Sequence, residues 1–303
     1  MPGDIVEYIA RRKQEINALI LAHFYQNPEI QDIADFVGDS LQLAQQAKAT
    51  DADVIVFCGV SFMAESAKIL NPAKTVLLPD KEGHCPMAAM VTAEQLRQKK
   101  AQYPGAVVVT YINSSAEVKA ESDICCTSSN AVKVIESIPA DQPIIFVPDK
   151  NLGRYIEEQT GRPMILWDGY CPVHDVLTAA EVEKQIKEHP QALLVVHPEC
   201  PPEVTSRAHA VRSTAGILKY VQASPAEEFI IGTEEGFLHT LTQNCPGKKF
   251  YLAKSGFRCD DMKYITLEKL AAALRNLEYQ VEVDDNIREK AGKSLQRMLA
   301  IVP

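Results

Sequence analysis

Residues 193–199 read LLVVHPE. Four apolar residues, two of them β-branched, run into a histidine, a proline and a glutamate. A run this short and this continuous suits a strand buried on both faces, as in a parallel sheet. Two similar stretches occur earlier in the chain, LILAHFY at residues 19–25 and VVVTYIN at residues 107–113. Tyr111 follows His23 by 88 residues, and His197 follows Tyr111 by 86.

Two further landmarks keep this phase. Ser40 in GDSLQLA, Ser128 in TSSNAVKV and Ser213 in RSTAGIL are 88 and 85 residues apart. Cys85 in LLPDKEGHC, Cys171 in LWDGYC and Cys259 in AKSGFRC are 86 and 88 apart, each shortly after a glycine. Three landmarks drifting together with a period near 87 residues define a threefold internal repeat.

Nine short β-rich runs, in three sets of three, alternate with helical stretches such as IADFVGDSLQLAQQAKAT, TAEQLRQKKAQY and TAAEVEKQIKEH. That alternation predicts an α/β fold. It consists of three pseudo-threefold-related α/β units, each a short parallel sheet flanked by helices, around a central active site. The units are expected at 1–103 (with an N-terminal helix from MPGDIVEYIARRKQEIN), 104–190, and 191–303 (with C-terminal helices).

Composition narrows the function. Thirty-one basic against 40 acidic residues give a net charge of −9, which argues against a nucleic-acid partner. No apolar run approaches the roughly 20 residues of a membrane helix, and the N-terminus has no signal-peptide core. A cytoplasmic chain follows, with its thiols reduced. Eight cysteines then call for metal binding, catalysis or burial.

In α/β units, ligands collect outside the carboxyl ends of the strands. Packed about a threefold axis, the units would bring Cys85, Cys171 and Cys259 to one central cavity. Three thiolates there suit a cubane iron–sulfur cluster with one iron left open; a Cys₃ zinc site is the competing reading. Cys85-Pro86 and Cys171-Pro172 place each thiol at an expected helix start, where the dipole favours a thiolate. The third unit lacks the proline. Cys58 reads as core, Cys125 and Cys126 precede a turn, and Cys245 sits in a loop. Cys200, at a strand end but out of phase, is the one further ligand candidate.

The motifs LAHFYQNPEIQDIADFVGDSLQLA, GVSFMAESAKILNP, CPMA, TYINSSAEVKA, CTSSNAVKV, PDKNLG, GYCPVH, VHPECP, STAGI and GTEEGFLH together resemble the quinolinate synthase family of NAD biosynthesis, from about Ala18 to Leu277. The resemblance implies a [4Fe–4S] cluster on Cys85, Cys171 and Cys259. It also implies a transferase that condenses iminoaspartate with dihydroxyacetone phosphate into quinolinate, releasing phosphate and two waters. Phe24 stands where the family commonly has Asn, and Arg212 where Gly often precedes Ser-Thr. CDDM carries no extra cysteine. Functional coupling to the enzyme supplying iminoaspartate is a further expectation. Another [4Fe–4S]-dependent hydro-lyase and a non-enzymatic iron–sulfur sensor are the alternatives.

That reaction needs proton transfers and anion binding. His23 with Tyr25, Tyr111 with Asn113, and His197 with Glu199 are candidates at the three strand ends, each pair spaced to share a face. Glu199 with His197 is the first choice of general base, with Tyr25, His23 and Tyr111 as further proton-transfer groups. Ser40, Ser128, Ser213 and Thr214 are read as helix starts that would cap the helix or bind carboxylate and phosphate. His174 would orient a cluster sulfur or meet substrate, and Trp167 would pack beside the cluster loop.

Overall fold

The computed structural model describes residues 2–301. The threefold repeat is realised as three separate four-stranded sheets, all parallel. The first contains β1 (Ala18–His23), β2 (Phe36–Gly38), β3 (Val54–Cys58) and β4 (Thr75–Leu77), in the order β2-β1-β3-β4. The second contains β5 (Val107–Tyr111), β6 (Ile124–Cys126), β7 (Ile144–Val147) and β8 (Ile165–Leu166), ordered β6-β5-β7-β8. The third contains β9 (Leu193–Val196), β10 (Ala210–Val211), β11 (Glu228–Gly232) and β12 (Lys249–Leu252), ordered β10-β9-β11-β12.

Each sheet therefore has one strand more than the sequence pattern suggests. The additions, β2, β6 and β10, are two or three residues long and lie at sheet edges. Strands this short carry no periodic signal and are set by pairing with β1, β5 and β9. The stretch IADFVGDSLQLAQQAKAT is accordingly broken: a helix Pro28–Ile33 precedes β2, and a second helix, Ser40–Ala49, follows it. Asp39 caps the second through a capping box with Gln42.

Register makes the units superposable along the chain. Ala22 pairs with Cys58, Thr110 with Val147, and Val196 with Gly232. The next residues on β1, on β5 and after β9 are His23, Tyr111 and His197, so the landmark residues occupy equivalent places.

One core cluster joins the first and second sheets, with Ile20, Val56, Ile144 and Leu295 among its fully buried members. The third sheet has a cluster on each face. Phe229 and Ile231 pack with Phe237 on one side, and Ile230 packs with Leu194 and Phe257 on the other, as period-two alternation requires. The chain then leaves the third sheet. Helix Leu267–Asn276 packs on the N-terminal helix Pro2–Glu15. A connecting segment runs along β4, with Val281 donating to the Val76 carbonyl at 2.8 Å. Helix Asp285–Ala300 closes over β6 and the helices Ala116–Ala120 and Ser61–Leu70. Among the described residues, no helix is long and apolar enough to cross a membrane.

Candidate functional site

The carboxyl ends of the three sheets converge on one cavity of about 680 Å³ of space between atoms. It is lined by Cys85, Cys171 and Cys259. His23, Tyr25, Ser40, Tyr111, Asn113 and Ser128 also line it, with His197, Glu199 and Thr214. Ser213 does not: it faces an outer groove with Arg212 and Lys219. Its Oγ caps helix Thr214–Ala223 by accepting the Gly216 N–H, and meets the Ser129 Oγ at 2.8 Å.

Ser213 thus caps its helix, as one of its two readings has it, whereas Ser40 and Ser128 do not cap theirs. Ser40 is the first residue of its helix, and Asp39 is the cap. Ser128 precedes a helix that begins only at Ala131, and its Oγ lies 3.2 Å from His197 Nε2. Ser129 donates to Asp39 at 2.6 Å, so Asp39, Ser129 and Ser213, one from each unit, join between the cavity and the outer groove.

The three cysteine loops share one anatomy. No α-helix starts at Pro86 or Pro172, contrary to the sequence reading. Cys85 and Cys171 lead into turns, and Cys259 leads into a 3₁₀ turn at Asp260–Lys263. The backbone N–H three residues on, from Ala88, His174 and Met262 respectively, instead favours each thiolate. Seven residues after each cysteine a threonine caps the next α-helix: Thr92, Thr178 and Thr266. The third loop, the weakest match in sequence, is thus equivalent in structure.

Burial pushes the bare Cys85 thiol up to about 12 and Cys259 to about 11, and raises Cys171 as well. Such thiols stay protonated unless a cation takes the proton's place. The other five cysteines are buried free thiols. Cys200, whose sulfur faces the Gly232 carbonyl at 3.5 Å, packs in the core of the third unit and does not line the cavity.

A hydrogen-bond web ties the units together inside the cavity. Tyr111 donates to Glu199 Oε1 at 2.7 Å, and His174 Nδ1 lies 2.8 Å from Glu199 Oε2 and 3.2 Å from Cys171 Sγ. His174 Nε2 meets Thr233 Oγ1 at 2.9 Å. The same hydroxyl lies 2.6 Å from the Tyr25 phenol, which also reaches Thr214 at 3.1 Å. His174 thus touches the Cys171 sulfur and lines the cavity.

Two histidines are set alike. The N–H of Tyr25 donates to His23 Nδ1, and that of Glu199 to His197 Nδ1, at 3.2 and 3.3 Å. A backbone N–H only donates, so each neutral ring carries its proton on Nε2. Burial drives both imidazoles down to about 3, which keeps them neutral. Burial disfavours the Glu199 carboxylate, but His197, His174 and the Tyr111 hydroxyl outweigh it, and the carboxyl is held below its ordinary value. Tyr25 and Tyr111 are raised by burial and then by Glu199, and remain phenols. Asn113 Oδ1 is buried without a hydrogen-bond partner among the described residues.

Sequence reasoning missed Thr233, Glu234 and Lys263. Glu234 is buried and paired with Lys263 at 2.9 Å, and it accepts the Cys259 N–H at 3.1 Å. The available signal was position: Thr233 and Glu234 follow the central β11 directly, as Pro148 and Asp149 follow β7.

Residues 7–300 match the family model described as quinolinate synthetase A protein. Among curated relatives, a quinolinate synthase from Desulforudis audaxviator is 55% identical over 298 residues, covering 98% of both chains. One from Alkaliphilus metalliredigens is 53% identical, covering 98% of both. One from Methanosarcina barkeri is 51% identical, covering 99% of this chain and 98% of its own. With the family model spanning nearly the whole chain and relatives this similar end to end, the chain belongs to the quinolinate synthetase A family.

Proposed function

We propose that this chain forms quinolinate from iminoaspartate and dihydroxyacetone phosphate, with a [4Fe–4S] cluster held by Cys85, Cys171 and Cys259. The observation that carries the reading is the convergence of these three free thiols, from three equivalent loops, on the cavity that also holds the histidines, tyrosines and Glu199. The donor set fits the group: three soft sulfurs, each thiolate favoured by a backbone amide three residues on, and among the cysteines no phased fourth. When bound, such a cluster would supply one iron without a cysteine, a Lewis acid within the cavity.

The chain's own residues do the rest. The Nε2–H groups of His23 and His197 are neutral donors for carboxylate or phosphate oxygens, and Asn113 Oδ1, unpartnered among the described residues, accepts from a substrate N–H or O–H. Ser40, Ser128 and Thr214 add hydroxyls on the cavity wall. Glu199 is ionised, the state a base requires, but its depressed pKa makes it a weak one. It gains strength when substrate displaces the Tyr111 hydroxyl or His174. Tyr25 and Tyr111 hold protons they can donate. The enzyme that supplies iminoaspartate is the functional partner this reaction implies.

Anaerobic reconstitution followed by iron and sulfide analysis, and an assay for quinolinate from the two substrates, tests the reading. Glu199→Gln should keep the cluster spectrum and lose about 10²–10⁴-fold in turnover; near-normal turnover removes Glu199 as the base. One observation favours a second reading: Cys171, His174 and Glu199 offer donor atoms within 4.8 Å of one another, enough to hold a single zinc ion. A colourless, zinc-loaded, active protein would establish it over the cluster.

A further inference from the structure

Two buried acidic side chains lie close to two of the three cysteines, and one of them, Glu234, also borders the cavity. Asp149 lies two residues beyond the end of β7, and Glu234 two beyond the end of β11. Both side chains are 0% exposed. The strand registers make these places equivalent, and the matching position in the first unit, two beyond β3, is Val60.

Glu234 is tied down from every side. Its Oε1 accepts the backbone N–H of Cys259 at 3.1 Å, and its Oε2 accepts that of Gly236 at 2.7 Å. Lys263, itself nearly buried, pairs with it at 2.9 Å and also donates to the Tyr25 carbonyl. The pair therefore fixes the third cysteine against the first unit. Asp149 accepts the Leu152 N–H at 2.8 Å through Oδ1, and its backbone bridges to Gly169, two residues before Cys171; burial and then Glu199 raise its carboxyl well above the ordinary range, opposed by the amides of Leu152, Asn151 and Cys171. Its Oδ2 is buried and has no hydrogen-bond partner among the described residues. The neighbouring backbone is equally tight: Lys150 donates to the Gly169 carbonyl at 2.8 Å. The first loop has Val60 at the matching place; its buried Asp80 instead accepts the Glu82 N–H at 2.8 Å and pairs with Lys269. The N–H of His84 reaches Asp261, three-dimensionally adjacent but from the third unit's 3₁₀ turn, at 3.0 Å.

We propose that Glu234 and Asp149 are positioning residues for the cluster ligands Cys259 and Cys171. Each holds the backbone at its cysteine so that the sulfur faces the axis before any iron arrives. The cluster is thereby braced on two of its three sides by acidic residues at equivalent places, while the first unit has Val60 there. Fixing a ligand through its hydrogen-bonded support is commonly worth 10–100-fold in metal affinity. This inference rests on the cluster reading given above.

The experiment uses the full chain, reconstituted anaerobically, and follows iron release to an excess of an iron chelator through loss of the cluster's absorbance. Glu234→Ala and Asp149→Ala should release iron about 10–100-fold faster than the native chain. Glu234→Gln retains an oxygen for the Cys259 N–H and should stay within a few-fold of native. Because Glu234→Ala strands Lys263, the double variant Glu234→Ala/Lys263→Met serves as a folded comparison. It should keep a native-like urea midpoint and still release iron fast. A folded double variant that releases iron at the native rate overturns the proposal for Glu234, and a folded Asp149→Ala doing so overturns it for Asp149. A native chain that takes up no iron and sulfide overturns the cluster reading itself, and this proposal with it.

Discussion

His197 offers the most direct test of how the cavity is built. Burial lowers its imidazole from 6.5 to about 3, opposed by Glu199 and aided by His174. In the unfolded chain the ring returns to its ordinary value. Between those two values the unfolded state binds a proton that the folded state refuses, so stability falls as pH falls through this window. The contribution is fully present above pH 6.5 and is withdrawn at about 1.4 kcal/mol per pH unit below it. By about pH 5 this single ring removes about 2 kcal/mol. The comparison is the cluster-free native chain against His197→Asn, whose side-chain oxygen can still accept the Glu199 N–H. Urea unfolding at about pH 8, 6.5 and 5, followed by two probes to establish a single transition, gives the difference in stability between the two proteins. Distant titrating groups cancel in that difference; His23, His174 and Glu199, which face the ring, are the ones that do not. The native advantage should shrink by about 2 kcal/mol between about pH 8 and 5. In parallel, the His197 ring proton in NMR should stay unshifted down to about pH 5. A difference that is flat with pH, or a ring that titrates near its ordinary value, refutes the argument that His197 is held neutral by burial.

Cys85→Ala, Cys171→Ala and Cys259→Ala should each abolish stable iron binding on reconstitution, while Cys200→Ala, out of the cavity, should leave the iron content unchanged; metal analysis decides both. Gly169→Ala would put a Cβ 2.5 Å from the Pro148 carbonyl oxygen, so the Cys171 loop must shift. About 1–3 kcal/mol of stability should be lost, with iron binding impaired, as measured by urea unfolding and iron content. Leu295→Ala, at a fully buried position of the C-terminal helix within the shared core, should cost about 2–5 kcal/mol, read from the same unfolding curves.

The threefold repeat could be read from the chain because its signal is local. A central parallel strand must be continuously apolar, and the residue at its carboxyl end must be polar if it faces a cavity. LILAHFY, VVVTYIN and LLVVHPE satisfy both conditions, and β1, β5 and β9 form at these stretches. Cys85, Cys171 and Cys259 could be chosen from eight cysteines for the same reason, since phase is a property of the chain. The edge strands β2, β6 and β10 could not be found: β4 and β8 are as short but sit in the apolar runs TVLL and MILW, whereas FVG, ICC and AV are flanked by polar residues. Nor could the chain show that Ser213 faces the outer groove while Thr214, its neighbour, lines the cavity: one residue's step around a helix start decides that. The turns after Cys85 and Cys171 also contradict the helix implied by the prolines. The amide three residues on favours each thiolate, and the α-helix waits for the threonine cap.

Fold class, threefold organisation and the thiols lining its centre are legible along the chain, because hydrophobic period and residue spacing are one-dimensional. Which groups touch depends on how the three sheets close on one another. Glu199 lies against Tyr111 and His174, Thr233 joins His174 to Tyr25, and Lys263 reaches Glu234 and the first unit. Apart from Lys263 and Glu234, both of the third, these partners come from different units. Burial, which sets the protonation of His23, His197 and the three cysteines, likewise exists only once the three sheets have closed on one another.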